Sequence, residues 1–291
     1  MKIGGMKPWL FILPALLIYL TVIFIPSMYT LYLSFFSWNG VAEHKDFVGL
    51  QNYAELLFHD SVFPRALKNN LLWMIGSLVL ILGLGLVLAL LLNKKMKGRT
   101  LFRGIFYFPY VLSGIVVATM WAWMYNPTQG FINKVLETVG LESWTHAWLA
   151  EPKTALYAVF AAALWHGVGQ PLVLFLAGLS AIPQNPYEAA YIDGAKPYQT
   201  FWYITIPLLQ ETFVIVVATT MIASMKVYDI IYAMTGGGPA ESTQVLSSLM
   251  YYQTFKYANI GLGSAISWFL VVIVMIVIVP YVYYTTKKSH L

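Results

Sequence analysis

The sequence contains no cysteine, which excludes disulfides, thiolate metal sites and cysteine nucleophiles. Charge is scarce too: 10% of the 291 residues are Asp, Glu, Lys or Arg, against about 25% in soluble domains. Such a supply cannot cover a water-exposed surface, and a charge-rich disordered tail or collagen-like rod is equally excluded. No G-x-x-x-x-G-K-[ST] run occurs, so the chain has no phosphate-cradling loop of its own. Gly236-Gly237-Gly238-Pro239 is a turn, since no Lys and helix follow it. The five histidines (His44, His59, His146, His166, His290) form no H-x-x-x-H pair, and no G-x-S-x-G elbow is present, which argues against a metal or serine hydrolase.

What the sequence does contain is apolar residues in long runs. A helix needs roughly 20 of them to cross about 30 Å of hydrocarbon. Six stretches qualify: Trp9 to Phe36, Leu71 to Leu92, Ile105 to Tyr125, Ala155 to Ile182, Thr212 to Tyr232 and Leu262 to Tyr284. The fold class expected is an all-α integral membrane protein, one transmembrane domain over residues 1–291. The first run follows Lys2 and Lys7 but is too long for a signal-peptide core and lacks an A-x-A-like site, so it reads as retained.

Six spans put both termini on one side. With the amino terminus inside, Lys2, Lys7, Lys94, Lys95, Lys97, Arg99, Arg103, Lys196, Lys287 and Lys288 are internal. Lys45, Arg65, Lys68, Lys134, Lys153 and Lys256 are then external. The twelve residues Asn93 to Gly104 carry five basic residues and no acidic one, so both termini are expected in the cytoplasm. These charges read as topological anchors and not as a nucleic-acid surface. Trp9, Trp38, Trp121, Trp123 and Tyr281 to Tyr284 lie near span ends, as an interfacial belt requires. The outer loops are long enough for small folded caps.

One inner loop, Pro183 to Glu211, is more than a connector. Asn185 is placed to cap a helix, Pro186 suits its first position, and Glu188 follows the cap by three residues. Gly194 can end that helix in the left-handed region. Pro197 can start a second helical piece that runs until Pro207. The product is a rigid elbow with small residues, Ala189 and Ala190, on one side. It can dock in a groove of another protein or lie on the headgroups.

Those same residues carry a family resemblance. Glu188-Ala189-Ala190, then Gly194, then Ile204-Thr205-Ile206-Pro207 resembles the EAA loop of ATP-binding-cassette (ABC) importer permeases, with Ile206 where Leu is usual. Lys226-Val227-Tyr228-Asp229-Ile230-Ile231-Tyr232 followed by Thr235-Gly236-Gly237-Gly238-Pro239 is similar to the signature of the carbohydrate-importing subgroup, as is Lys7-Pro8-Trp9 to Pro14. The resemblance implies a type I importer architecture in a bacterial inner membrane. It implies that the elbow is a coupling helix set in a cytoplasmic ABC ATPase dimer, through Glu188, Ala189, Ala190 and Gly194, with Asp193 in the same elbow. It further implies a second permease subunit in a heterodimer, an extracellular solute-binding protein, and ATP with Mg on the ATPase and no cofactor on this chain.

The solute path must be sought among polar groups at membrane depth, where each is costly unless it is satisfied or functional. His166 and Gln170 lie four apart beside Trp165, and Gly167, Gly169 and Pro171 weaken the helix around them. Thr220 and Ser224 repeat the spacing with hydroxyls. These five residues can line a sugar pocket or, for the polar four, hold the bundle by interhelical hydrogen bonds. Lys226 and Asp229, three apart, can pair with each other or meet solute. The expected function is ATP-driven import of a sugar or oligosaccharide. Glycerol 3-phosphate or a related polyol ester is the alternative cargo. An ion-driven secondary transporter is the rival, disfavoured because Asp229 is the sole acid within the spans and no repeat is seen.

Overall fold

Backbone in hydrocarbon must satisfy its own hydrogen bonds, so apolar runs of this length become helices. The computed structural model describes residues 7–94 and 96–289. Lys2, Lys95 and His290 lie outside the described residues, as do the side chains of Lys7, Trp9, Lys287 and Lys288. In chain order the elements are α1 (Phe11–Leu33), β1 (Phe36–Ser37), β2 (Asp46–Phe47), α2 (Phe63–Asn93), α3 (Arg99–Val111), α4 (Gly114–Met124) and α5 (Phe131–Thr138). Then come α6 (Ala155–Ala181), α7 (Asn185–Ile192), α8 (Pro197–Thr200), α9 (Gln210–Met225), α10 (Asp229–Thr235), α11 (Leu246–Tyr251) and α12 (Ile260–Ser289). The helical architecture is as expected, with one small antiparallel hairpin, among the described residues, in the loop between α1 and α2.

The third apolar run is not one rod. Leu112 and Ser113 are extended, with ψ of 149° and 139°, and they turn α3 and α4 through 97°. Among the described residues five helices are therefore long and apolar enough to span, and a sixth span exists only if this bent pair is counted as one.

The chain forms two compact units, Met1–Phe63 with Leu249–Val272, and Pro64–Ser248 with Ile273–Leu291. In the first, the hairpin pairs Phe36 with Phe47, and Asn52 Nδ2 donates to the carbonyls of Ser34 (2.8 Å) and Phe36 (3.0 Å). Lys45 Nζ donates to Tyr29 Oη (2.9 Å) and sits over the Trp38 ring at 4.7 Å. This is a small folded cap of the kind the loop length allows. In the second unit, Asn133 Nδ2 donates to the carbonyls of Pro127 and His146 (3.0 Å each), and Trp148 Nε1 donates to Asn133 Oδ1 (2.7 Å), which folds the loop around α5.

Helices in lipid gain nothing from hydrophobic exclusion, so they associate where small residues let backbones approach. Gly85 of α2 faces Pro171 of α6, where an added Cβ would stand 2.6 Å from the Pro171 Cβ and 3.1 Å from the Leu172 nitrogen. Gly169 of α6 faces α3, where a Cβ would stand 3.1 Å from both the Phe106 carbonyl oxygen and the Tyr107 Cα. Buried Leu82, Ala89, Leu172, Phe175 and Leu176 fill the space beside the first seam. Gly85→Val should therefore overpack it at about 1–3 kcal/mol and lower the unfolding midpoint of the purified complex, followed by tryptophan fluorescence. Gly83→Ala, with nothing within 4 Å, should leave that midpoint in place or raise it slightly.

Candidate functional site

Four helices of the second unit leave their regular path around one cavity of about 230 Å³. Helix α2 widens to a π turn at Ser77–Ile81, α3 and α4 part at Leu112, α6 is interrupted at Val168, and α9 ends at Met225 before α10. The lining comes from each: Ser77 and Ile81, Tyr110, His166 with Gly167, Gln170 and Pro171, and Thr220, Ser224 and Val227. Irregular backbone at membrane depth is tolerated where it borders such a space. Pro171 brings no N–H to the Gly167 carbonyl four residues back, and both residues line the cavity.

The structure brings His166, Gln170, Thr220 and Ser224 to this one space. His166 does two things there. Its Nε2 lies 3.1 Å from the Leu112 carbonyl oxygen, which can only accept, so Nε2 carries a proton and donates. Its ring also stacks on Tyr110 at 6.0 Å. His166 thus lines the cavity and also bonds the α3–α4 bend. Thr220 and Ser224 are 8% and 3% exposed, and Ser224 Oγ donates back to the Met221 carbonyl at 2.8 Å. Trp165 is outside the lining; its ring packs on Trp121 at 6.0 Å. The pairing of Lys226 with Asp229 is not formed: among the described residues the ion pairs lie elsewhere. Helix α9 has already ended at Met225, and Tyr228 lies outside the helical region at φ −144° and ψ −61°, so a spacing of three does not put them on one face. Asp229 packs instead against Gly114, at 3.4 Å from where its Cβ would be.

Sequence reasoning missed Ser77, Tyr110 and Trp73 in the lining, and Asn70, which is fully buried next to it. The adjacent amides Asn69-Asn70 at the edge of an apolar run were the available signal.

The elbow is the second feature. Helix α7 starts at Asn185, one residue earlier than its capping pattern suggests, and Gln184 stands before it without a side-chain cap. The Glu188 capping box is therefore not formed. Because Pro186 occupies the first turn in either frame, the helix can begin ahead of the polar cap. A different reciprocal bond opens α8, where Gln199 Oε1 accepts from the Lys196 amide at 2.8 Å. Gly194 does end α7, at φ +72°, with Ala195 N–H bonding the Ala190 carbonyl and Gly194 N–H bonding that of Tyr191, the two bonds of a Schellman end. Tyr187 Oη shares a hydrogen bond with Thr205 Oγ1 at 3.0 Å, which closes the elbow. Pro207 does not break the second piece; the helical path runs on to Leu208. Glu188, Ala189 and Asp193 are exposed, whereas Ala190 is turned inward at 8%. The free side also presents Tyr191 and Ile192, 86% and 83% exposed. Asp193 and Gly194 border an open depression of about 370 Å³ with Gln199 and Tyr203.

Comparison with known proteins gives this arrangement a family. The profile of the "binding-protein-dependent transport system inner membrane component" family matches residues 81–286. The multiple sugar-binding transport system permease protein MsmF of Streptococcus mutans is 35% identical, over 92% of this chain and 91% of its own length. The sn-glycerol-3-phosphate transport system permease protein UgpA of Agrobacterium fabrum is 32% identical, over 97% and 96%. The fold superposes with a TM-score of 0.84 on a chain of a bacterial alginate ABC transporter, solved in complex with an alginate pentasaccharide-bound periplasmic protein, at 22% identity over 97% of this chain and 94% of that one. With its helices interrupted around one membrane cavity and its exposed elbow, the chain belongs to the inner-membrane components of binding-protein-dependent transport systems, as a multi-pass ABC importer permease subunit.

Proposed function

We propose that the cavity is the solute path and that its cargo is a neutral sugar or short oligosaccharide. One observation carries this reading. The described lining holds hydroxyls, an amide, an imidazole and the rings of Trp73 and Tyr110, and no Lys, Arg, Asp or Glu. Sugars offer many hydroxyls and apolar faces, which neutral donors, acceptors and aromatic rings match. A phosphate ester would call for Arg or Lys; glycerol 3-phosphate, in the name of one relative, is on that ground the second choice. The sugar in the name of the other supports the first.

The remaining parts of the reading follow from the elbow. Its exposed side, Glu188, Ala189, Tyr191 and Ile192, seats in a cytoplasmic ABC ATPase dimer, with Gly194 and Asp193 at the turn. ATP and Mg bind on that partner, since this sequence has no nucleotide loop. A second, different permease subunit completes the path, and an external solute-binding protein loads it. The elbow and the basic loop Asn93 to Gly104 share a side if α3 and α4 together cross once, and the positive charge puts both, with the two termini, in the cytoplasm.

Two experiments test this. Glu188→Arg, Ile192→Asp and Gly194→Val should each lower solute-stimulated ATP hydrolysis by about tenfold or more, the scale of a lost interface anchor, while the amount of chain in the membrane stays the same. Undiminished stimulation in all three rejects the elbow as the coupling element. In proteoliposomes of the whole importer, Gln170→Leu and Thr220→Val should raise the KM for uptake of a labelled neutral sugar by about tenfold. Saturable uptake of glycerol 3-phosphate with none of any neutral sugar, or uptake by this chain alone on an ion gradient, overturns the assignment.

A further inference from the structure

The loop after the broken fifth run is fastened to one face of α2, and every bond is from a side chain to backbone. Arg65 Nη1 donates to the Ala240 carbonyl (2.9 Å). Asn69 Nδ2 donates to those of Ser242 (2.9 Å) and Gln244 (2.8 Å). Asn70 reaches furthest. Its Nδ2 faces the carbonyls of Ser224 (3.4 Å) and Met225 (3.3 Å), the last of α9, and its Oδ1 accepts from the amide of Leu246 (2.7 Å), the first residue of α11. Backbone groups at a helix end have no partner of their own, and Asn70 supplies one to each of two such ends.

That position has a consequence for the cavity. Asn70 is fully buried, and Trp73 and Ser77, three and seven residues on along the same helix face, line the cavity from one side. Ser224, whose carbonyl Asn70 holds, lines it together with Thr220. One amide therefore ties the two walls. We infer that Asn70 is a positioning residue that sets the width of the cavity by holding the end of α9 against α2. The inference stands on the geometry alone; only its effect on transport rests on the cavity being the solute path.

The chain has no cysteine, so Thr220→Cys places a single thiol on the cavity wall. In the assembled importer its rate of labelling by 2-aminoethyl methanethiosulfonate, read on this chain after gel separation, reports the opening. N70L removes both functions of the amide. N70D keeps the acceptor for Leu246; ionised, it repels the two carbonyls, and protonated, it donates to them again. The protonated form gains as pH falls. The ionisable groups on the packed elements are Arg65 and Lys68 on α2, Glu211 on α9, Lys226, Tyr228 and Asp229 around the break, Glu241 in the loop and Tyr251 on α11; the amide of Asn70 bonds the backbone of Ser224, Met225 and Leu246.

With rates divided by those of T220C alone at each pH, N70L should differ by about tenfold at all pH values, and N70D by the same at about pH 9 but by less than about twofold at about pH 5.5. N70D matching T220C at both ends, N70L matching it anywhere, or N70D staying displaced at low pH overturns the assignment. In the unmodified importer, where folding is not at issue, the Leu246 amide should exchange with deuterium as slowly as helix-interior amides; exchange at the rate of the exposed loop amides also overturns it.

Discussion

A carbonyl in hydrocarbon has no water to bond, and that constraint shapes the second unit of this protein. A membrane helix that bends or ends at depth leaves acceptors open, so each interruption must bring its own donor or border a polar space. Here the Leu112 carbonyl at the α3–α4 bend receives His166 Nε2, and the Ser224 and Met225 carbonyls at the end of α9 receive Asn70 Nδ2. Both donors come from other helices. The interruptions and the side chains that satisfy them are one device, and what lies between them is a space walled by dipoles without a full charge. Such a wall suits a cargo that must be held weakly enough to leave: neutral hydrogen bonds exchange readily with those of water, whereas a charged clamp would hold an anion more strongly.

The same logic explains how α2, α3 and α6 come together. With no solvent to expel, contact between apolar helices is favourable only when it is close, and closeness requires missing side chains. Gly85 against Pro171, Gly76 against the Phe160 ring and Gly169 against the α3 backbone supply it. Gly169 and Pro171 follow directly on the interruption at Val168, so the residues that loosen α6 also bring it close to its neighbours.

Composition and apolar run length made the membrane class legible in the sequence, because both report the solvent directly. Gly194 was legible as a helix stop, since only a left-handed residue makes that turn without a steric penalty. The four polar residues that line the cavity were legible because polar groups in apolar runs are rare. The 97° bend at Leu112 was not, because apolar residues there look the same whether straight or extended, and Pro109 only three residues earlier was read as part of a span. The capping frame of α7 failed because Pro186 fits the first or the second helical position equally. Lys226 and Asp229 were joined on a helix that had already ended. Asn70 was passed over for a different reason: its partners are backbone groups of residues 154 and more positions away in sequence, and no side-chain pattern marks a carbonyl.

Helix α9 is held at both ends. At one end, the proposed coupling elbow continues through Tyr187 and Thr205 into Leu209, which is fully buried. From there Phe213 packs edge-on against Phe175 of α6 at 4.9 Å, and Thr212 and Leu209 close on Gly178. At the other end, Asn70 holds Ser224 and Met225. A displacement delivered to α7 is therefore passed to α9 and the second half of α6 together, since dense packing transmits movement and does not absorb it. The place that can yield is the non-helical stretch Lys226 to Tyr228, where the regular path of the helix is broken. Between the elbow end and the anchored end lie Thr220 and Ser224 on α9, and His166 and Gln170 lie on α6 just ahead of its packed second half. A small rotation about the clamp would turn these groups toward or away from one another, and alternating access then needs no charged latch inside the membrane, only a helix fixed at one end and moved at the other.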